Sequence, residues 1–212
     1  MSSSTLHSSP SSALRGTLRA ALSTKTKGLV RDIPPGEPPP TPAGVLVCLF
    51  DRGAGTQVLY TRRTETVGTH KGQISFPGGA REAHDGTIHD TALRETFEEI
   101  GLAPAAAEIL GELDDHVTIS NYRVTPVVAW VAEPPPVFAP RPEEVAEVLE
   151  VPLSVLRDPA RLREEDILWL GEPKRMYSFD TGRAVVWGLT ARITVELLRL
   201  LAFSAAGAEK PR

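Results

Sequence analysis

Glu95, Glu98 and Glu99 fall within five positions of one another in the stretch RETFEEIGL. Their i, i+3, i+4 spacing puts three carboxylates on one face of a helix, where like charges repel. Such a face is stable when water solvates it or when a cation sits among the acids. An all-oxygen donor set favours a hard ion, Mg²⁺ or Mn²⁺, over zinc. A charge run ordinarily marks a solvated face. The stretch FPGG at residues 76–79 argues for the cation instead. Its glycines let bare backbone approach the helix, so that the Gly79 carbonyl can add an oxygen donor and a phosphate can come close.

The elements that must position these groups are legible in part. Residues 88–100 have a helical pattern, with Thr87 as N-cap, Asp90 completing a capping box and Gly101 closing the C-terminus. Leu93, Phe97 and Ile100 lie opposite the acids and are expected to anchor the helix in the core. FPGG is expected to be a tight turn after the short strand ISF. Upstream, GVLVCLF and QVLYTRR flank the turn DRGAGT and form a β-hairpin. Further strands are expected at Ile109–Leu113, Val124–Val131 and around Val148–Val151, a short helix or turn at PLSVL, and a C-terminal helix in VVWGLTARITVELLRLLAF. A short helix at 13–22 precedes a proline-rich connector, RDIPPGEPPPTPAG, with no room for regular structure. Strands and helices interleave without a regular βαβ alternation, which points to an α/β or α+β domain built on a mixed sheet. The expected division is a flexible extension at 1–40, one domain at 41–204 and a flexible tail at 205–212.

Composition excludes several classes. With 41% hydrophobic residues the 212-residue chain can bury a sizeable core. A net charge of −4 gives no support to bulk binding of nucleic acid or anionic membrane. The single cysteine, Cys48, rules out an intrachain disulfide and a cysteine zinc cluster, and its apolar setting marks it as a core residue. No apolar run approaches the roughly 20 residues that span a bilayer. The N-terminus is Ser-rich, carries Arg15 and Arg19 and has no acid before Asp32. An organellar transit peptide shares those traits, but a tail leading into a helix is the reading adopted, with the cytoplasm as default location.

GGAREAHDGTIHDTALRETFEEIGL resembles the Nudix box, G-x5-E-x7-R-E-U-x-E-E-x-G-U with U apolar. Gly79, Arg94, Glu95, Glu98, Glu99, Gly101 and Leu102 match it. Asp85 stands where the upstream glutamate is expected after Gly79, one extra residue separates it from Arg94, and Thr96 takes an apolar position. The resemblance implies a Nudix fold, a mixed β-sheet sandwich flanked by helices, and hydrolysis of a diphosphate linked to a nucleoside. It implies that Glu95, Glu98, Glu99 and the Gly79 carbonyl hold divalent cations, Mg²⁺ or Mn²⁺, which neutralise the pyrophosphate and acidify water. Arg94 would hold the glutamates in place. A carboxylate must take the proton from the attacking water. Glu95 is one candidate, and RPEEVAEVLEVPL offers Glu143, Glu144 and Glu147, of which Glu144 is preferred because it precedes a strand.

Upstream, LYTRRTETVGTHKGQISFPGGARE resembles the extra motif of the coenzyme A pyrophosphatase subgroup, and the likeness extends over roughly Val45 to Ile193. It implies coenzyme A or its acyl derivatives as the small-molecule substrate, cut to 3′,5′-ADP and a 4′-phosphopantetheine. The additional 3′-phosphate calls for surplus cations, which Arg62, Arg63, His70, Lys71 and Arg123 can supply. Gly68 replaces the motif's second arginine and Glu82 its aspartate. The alternatives are a Nudix hydrolase of another nucleoside diphosphate derivative, such as ADP-ribose, and a non-catalytic nucleotide-sensing module, which would be expected to lose acids from the helix. Oligomeric state is left open, a homodimer included.

Overall fold

The computed structural model describes residues 10–34, 36, 38–53, 55–65 and 72–208. Helix α1 (Pro10–Thr24) and strand β1 (Leu29–Arg31) precede the hairpin of β2 (Thr41–Arg52) and β3 (Gly55–Arg63). Then come β4 (Ile74–Ser75), β5 (Gly78–Ala80), helix α2 (Ile88–Ile100), β6 (Ala107–Glu112), β7 (Asp115–Val117), β8 (Tyr122–Val131) and β9 (Val145–Pro152). The short α3 (Leu153–Leu156) leads to β10 (Leu162–Trp169), β11 (Glu172–Asp180), β12 (Val185–Trp187) and α4 (Gly188–Ala208).

The main sheet is mixed, in the order β1-β7-β8-β2-β3-β4, with β5 also on β2, β6 on β8 and β9 on β3. β2 and β8 run parallel from Thr41↔Tyr122 to Leu49↔Trp130, while β3 runs antiparallel to both β2 and β9. β2 is buried on both faces, which is why its sequence reads as an unbroken apolar run. Leu46, Cys48 and Phe50 meet Ala92 and Ile100 of α2 in one core cluster; Val47 and Leu49 meet Leu18 of α1 and Leu197 of α4 in the other. α2 and the α1/α4 pair therefore lie on opposite faces. β10 to β12 form a smaller antiparallel sheet against α4. Leu170 and Gly171 both have positive φ, the geometry of a two-residue hairpin turn that follows the twist of its strands.

Several expectations change. The connector is not wholly irregular: Arg31 ends a strand that pairs with β7, and Thr41–Gly44 already belong to β2. α1 buries Leu18 and Leu22 in the core. FPGG is not simply a turn, because Gly78–Ala80 is a strand on Ala43–Val45. Phe97 does not anchor α2; it is 52% exposed, and Ala92, Thr96, Glu99 and Ile100 are buried instead. The cause is a close approach. A Cβ on Gly44 would lie 2.8 Å from the Ile88 carbonyl oxygen and 3.3 Å from the Ala92 Cβ. The helix thus rests on β2 through small residues, and Phe97, five residues beyond Ala92, is turned about 140° from that contact line. Thr96 fits the apolar position by donating its hydroxyl to the Ala92 carbonyl at 2.6 Å.

Candidate active site

The ends of α2 are fixed as its sequence requires. Thr87 accepts from the Asp90 amide, Asp90 accepts from the Thr87 amide, and Gly101 closes the helix in the left-handed conformation, φ 73°. Ahead of the helix, β5 crosses at van der Waals range. A Cβ on Gly78 would fall 2.2 Å from the Gly44 carbonyl oxygen, and one on Gly79 would fall 2.5 Å from the Glu95 carboxylate. Gly78 is required for the main chain to pass against β2, and Gly79 lets it lie against the Glu95 carboxylate.

Arg94 organises the acidic face. Its Nε and Nη2 donate to the two oxygens of Asp85, each at 3.0 Å, and Nη2 also donates to the Ala80 carbonyl at 3.1 Å. Nη1 reaches Glu95 at 2.9 Å and Glu98 at 3.2 Å. Asp85 is buried and accepts further bonds from the Glu82 amide and the Thr91 hydroxyl, both at 2.9 Å. The Arg94 guanidinium holds the Asp85 carboxyl well below the ordinary carboxylate range. The displaced upstream acid is therefore the anchor of the arginine that aligns the glutamates.

Glu99 is the most buried of the three acids. It is 5% exposed, and its Oε2 has no hydrogen-bond partner. Burial pushes its pKa up to about 8, with repulsion from Glu95 and Glu144 adding to the rise and Arg63 opposing it. Burial also raises Glu95, against the pull of Arg94. Glu98 is the most open of the three, with 45% of its side chain exposed.

Arg63 and Glu144 come to this cluster from other elements. The register of β3 and β9 shifts between Arg62 and Arg63, and the Thr64 amide donates to the Glu144 carbonyl at 3.0 Å. The loop before β9 is strapped to the end of α2: the Ala139 amide donates to Ile100 and the Arg141 amide to Glu99, both at 2.8 Å. Glu144 is thereby near enough to raise both Glu95 and Glu99, and its own salt-bridge partner, Arg141, stands 3.6 Å away. The Arg63 Nε is buried without a hydrogen-bond partner among the described residues, facing the same acids.

The other sequence candidates divide. Arg62 is paired with Glu147 at 3.1 Å, and Glu147 also holds Arg183, so neither is free for a substrate or a proton. Arg123 is bound to Asp115 on β7 at 2.9 Å. Glu143 stands 3.7 Å from Arg141. His70, Lys71 and Gly68 lie outside the described residues. The amides of Ala139 and Arg141 that strap the Glu144 loop had no signal in the sequence.

Among the described residues no three His, Cys, Asp or Glu side chains form a ready-made metal cage. Glu95 and Glu98 are turned onto Arg94 instead. The donor set nevertheless fits a hard cation. Three carboxylates share one face, one buried oxygen is orphaned, and the Gly79 main chain lies against Glu95.

Residues 40–170 match the NUDIX domain. The chain belongs to the NUDIX family. It is 38% identical over 162 residues to Nudix hydrolase 22, chloroplastic, of Arabidopsis thaliana, a match covering 74% of this chain and 54% of that protein. The chain thus spans about half the length of this plant relative. It is 38% identical over 155 residues to an uncharacterized Nudix hydrolase, NudL, of Pectobacterium atrosepticum, covering 73% of this chain and 80% of the relative. Its fold matches that of a C. elegans Ap4A hydrolase at TM-score 0.50 and 15% identity, over 77% of this chain and 98% of that one. The NUDIX match contains α2 and all the residues that converge on it. No helix among the described residues is long and apolar enough to cross a membrane.

Proposed function

We propose that this NUDIX protein is a divalent-cation-dependent diphosphatase that hydrolyses coenzyme A and its derivatives to 3′,5′-ADP and 4′-phosphopantetheine or its acyl form. The observation that carries the enzymatic reading is the buried Glu99 carboxylate between Glu95, Glu144 and Arg63, one oxygen of which has no hydrogen-bond partner among the described residues. A folded protein gains nothing from a carboxylate held there without a cation to share it. Glu95, Glu98, Glu99 and the Gly79 carbonyl would hold Mg²⁺ or Mn²⁺, which supplies charge neutralisation at the diphosphate and a more acidic water. Arg94, fixed by Asp85, keeps Glu95 and Glu98 in place. Arg63 faces the space where diphosphate charge must be met. Glu144 is the proton acceptor in this reading, since Glu95 is already engaged by Arg94 at 2.9 Å and Glu144 has only a loose partner.

The coenzyme A assignment is supported by the motif around LYTRRTETVGTHKGQISFPGG, with His70 and Lys71 as further cations for the substrate. Arg62 and Arg123 are committed to Glu147 and Asp115, which reduces the positive charge left for a 3′-phosphate. That observation favours, as the second reading, another nucleoside diphosphate derivative such as ADP-ribose. Residues 41–204 are taken as the hydrolase domain. Purified protein with Mg²⁺ or Mn²⁺, assayed on coenzyme A, dephospho-coenzyme A, ADP-ribose and a diadenosine polyphosphate, separates the readings. Preference for coenzyme A supports the assignment, equal turnover of coenzyme A and ADP-ribose removes it, and no turnover of any removes the enzyme.

A further inference from the structure

A cavity of about 730 Å³ opens between β1, β7, β11 and α4, away from the acidic helix. In the sheet, His116 pairs with Val124, Val124 with Ala43, and Ala43 with Ala80, beside which Arg94 is bound. Three strand spacings, roughly 14 Å, therefore separate His116 from the candidate active site.

His116 lines this cavity with 2% of its surface exposed, and neither ring nitrogen has a hydrogen-bond partner among the described residues. The nearest charged group is Glu196, 3.6 Å from Nε2 and itself engaged by the Asp114 amide. Whichever tautomer the ring adopts, a buried donor and a buried acceptor are left unmet, at a cost that a bound polar group would remove.

The wall is cationic. Five arginine and lysine side chains line it against three carboxylates. Asp32 takes Lys174 at 2.7 Å and Arg192 at 2.9 Å, and Arg175 is held outward by Glu164 and Asp166. Arg31 and Arg199 have no carboxylate partner among the described residues; Arg199 contacts only the ring and hydroxyl of Tyr177. Val30, Ile33 and Val195 supply apolar surface between these charges. A volume of this size with a few convergent polar groups suits a metabolite-sized ligand.

We propose that this cavity is a second binding site, distinct from the hydrolytic one, for a small phosphate monoester with an apolar body. The dianionic phosphate matches two guanidinium groups without carboxylate partners better than a carboxylate does, and Arg31 and Arg199 are its forked donors. His116 supplies the buried hydrogen bond. The site does not depend on which diphosphate the acidic helix cleaves.

The test is calorimetric titration of the full chain, in chelator so that the acidic helix holds no cation. Phenyl phosphate is the probe, with inorganic phosphate and benzoate as comparison arms. Phenyl phosphate should bind more tightly than either, and R31Q/R199Q, two surface changes that leave the core intact, should weaken it at least tenfold. H116F should weaken it as well, with R31Q/R199Q deciding the matter where H116F does not fold. R31Q/R199Q should leave kcat/KM of the hydrolytic reaction unchanged. Three results overturn the proposal: no binding of phenyl phosphate at millimolar concentration, binding untouched by R31Q/R199Q, or binding abolished by E98Q instead.

Discussion

Replacing Glu99 by glutamine separates the function of the acidic helix from its stability. In the metal-free protein the Glu99 carboxyl has a pKa of about 8, against 4.5 for the free side chain. The sign follows from linkage. Between those two values the folded state holds a proton that the unfolded state has lost, so wild-type stability falls as pH rises from about 4.5 to 8. The slope has an upper limit of about 1.4 kcal/mol per pH unit, and across pH 5 to 8 the loss is at most about 4 kcal/mol. Glutamine has nearly the same shape and does not ionise, so Glu99→Gln should remove this slope and be the more stable protein at pH 8 in chelator. Divalent cation should offset the loss: it stabilises wild type by about 2.7 kcal/mol at a hundred times its Kd and by about 4.1 kcal/mol at a thousand times, and has far less effect on the variant. The assay is guanidinium denaturation at a series of pH values, with EDTA and then with Mn²⁺. Glu95 also titrates above its usual range, so the quantity to read is the difference between the two proteins. The reasoning is refuted by parallel pH profiles, or by a variant less stable than wild type in EDTA at pH 8.

Other changes probe the supports. Asp85→Asn leaves the largely buried Arg94 with Glu95, Glu98 and, at 3.8 Å, Glu82 as charged partners and should cost about 3 kcal/mol, the lower end for breaking a buried pair, measured by denaturant midpoint. Because the Asp85 carboxyl titrates below the ordinary range, its contribution should persist as pH falls and disappear only below that range. Gly79→Ala places a methyl group 2.5 Å from the movable end of Glu95, so the fold should survive while Mn²⁺ affinity, followed by electron paramagnetic resonance, falls tenfold or more. Glu144→Gln should lower kcat by about 10² to 10⁴ with KM little changed, and an unaltered kcat would transfer the proton-acceptor role to Glu95.

Local chemistry made part of this structure readable in advance. Thr87, Asp90 and Gly101 mark the helix ends by capping rules that need no tertiary information, and each does so in the structure. The run GVLVCLF announced a strand of a hairpin, and the structure buries that strand on both faces. What the sequence hid depends on contacts between distant segments. Phe97 lies outside the core because Gly44, more than fifty residues earlier, draws the helix down onto Ala92. Strands β1 and β7 have three residues each, too few for a periodic signal. β10 is exposed along most of its length, so its sequence LREEDILW shows no inward and outward alternation. At the site, the three glutamates and Arg94 were legible as a spacing. Glu144 was legible as a candidate before a strand, but the two backbone bonds that strap its loop to the end of α2 were not.

The most direct test of the central claim follows coenzyme A by phosphorus NMR in the presence of the protein. With Mg²⁺ or Mn²⁺ the diphosphate signals should give way to the monoester signals of 3′,5′-ADP and 4′-phosphopantetheine, and chelator or Glu99→Gln should stop the conversion. A diphosphate that stays intact with either cation, or is cleaved at the same rate by Glu99→Gln, would contradict the assignment of the acidic helix as the hydrolytic centre.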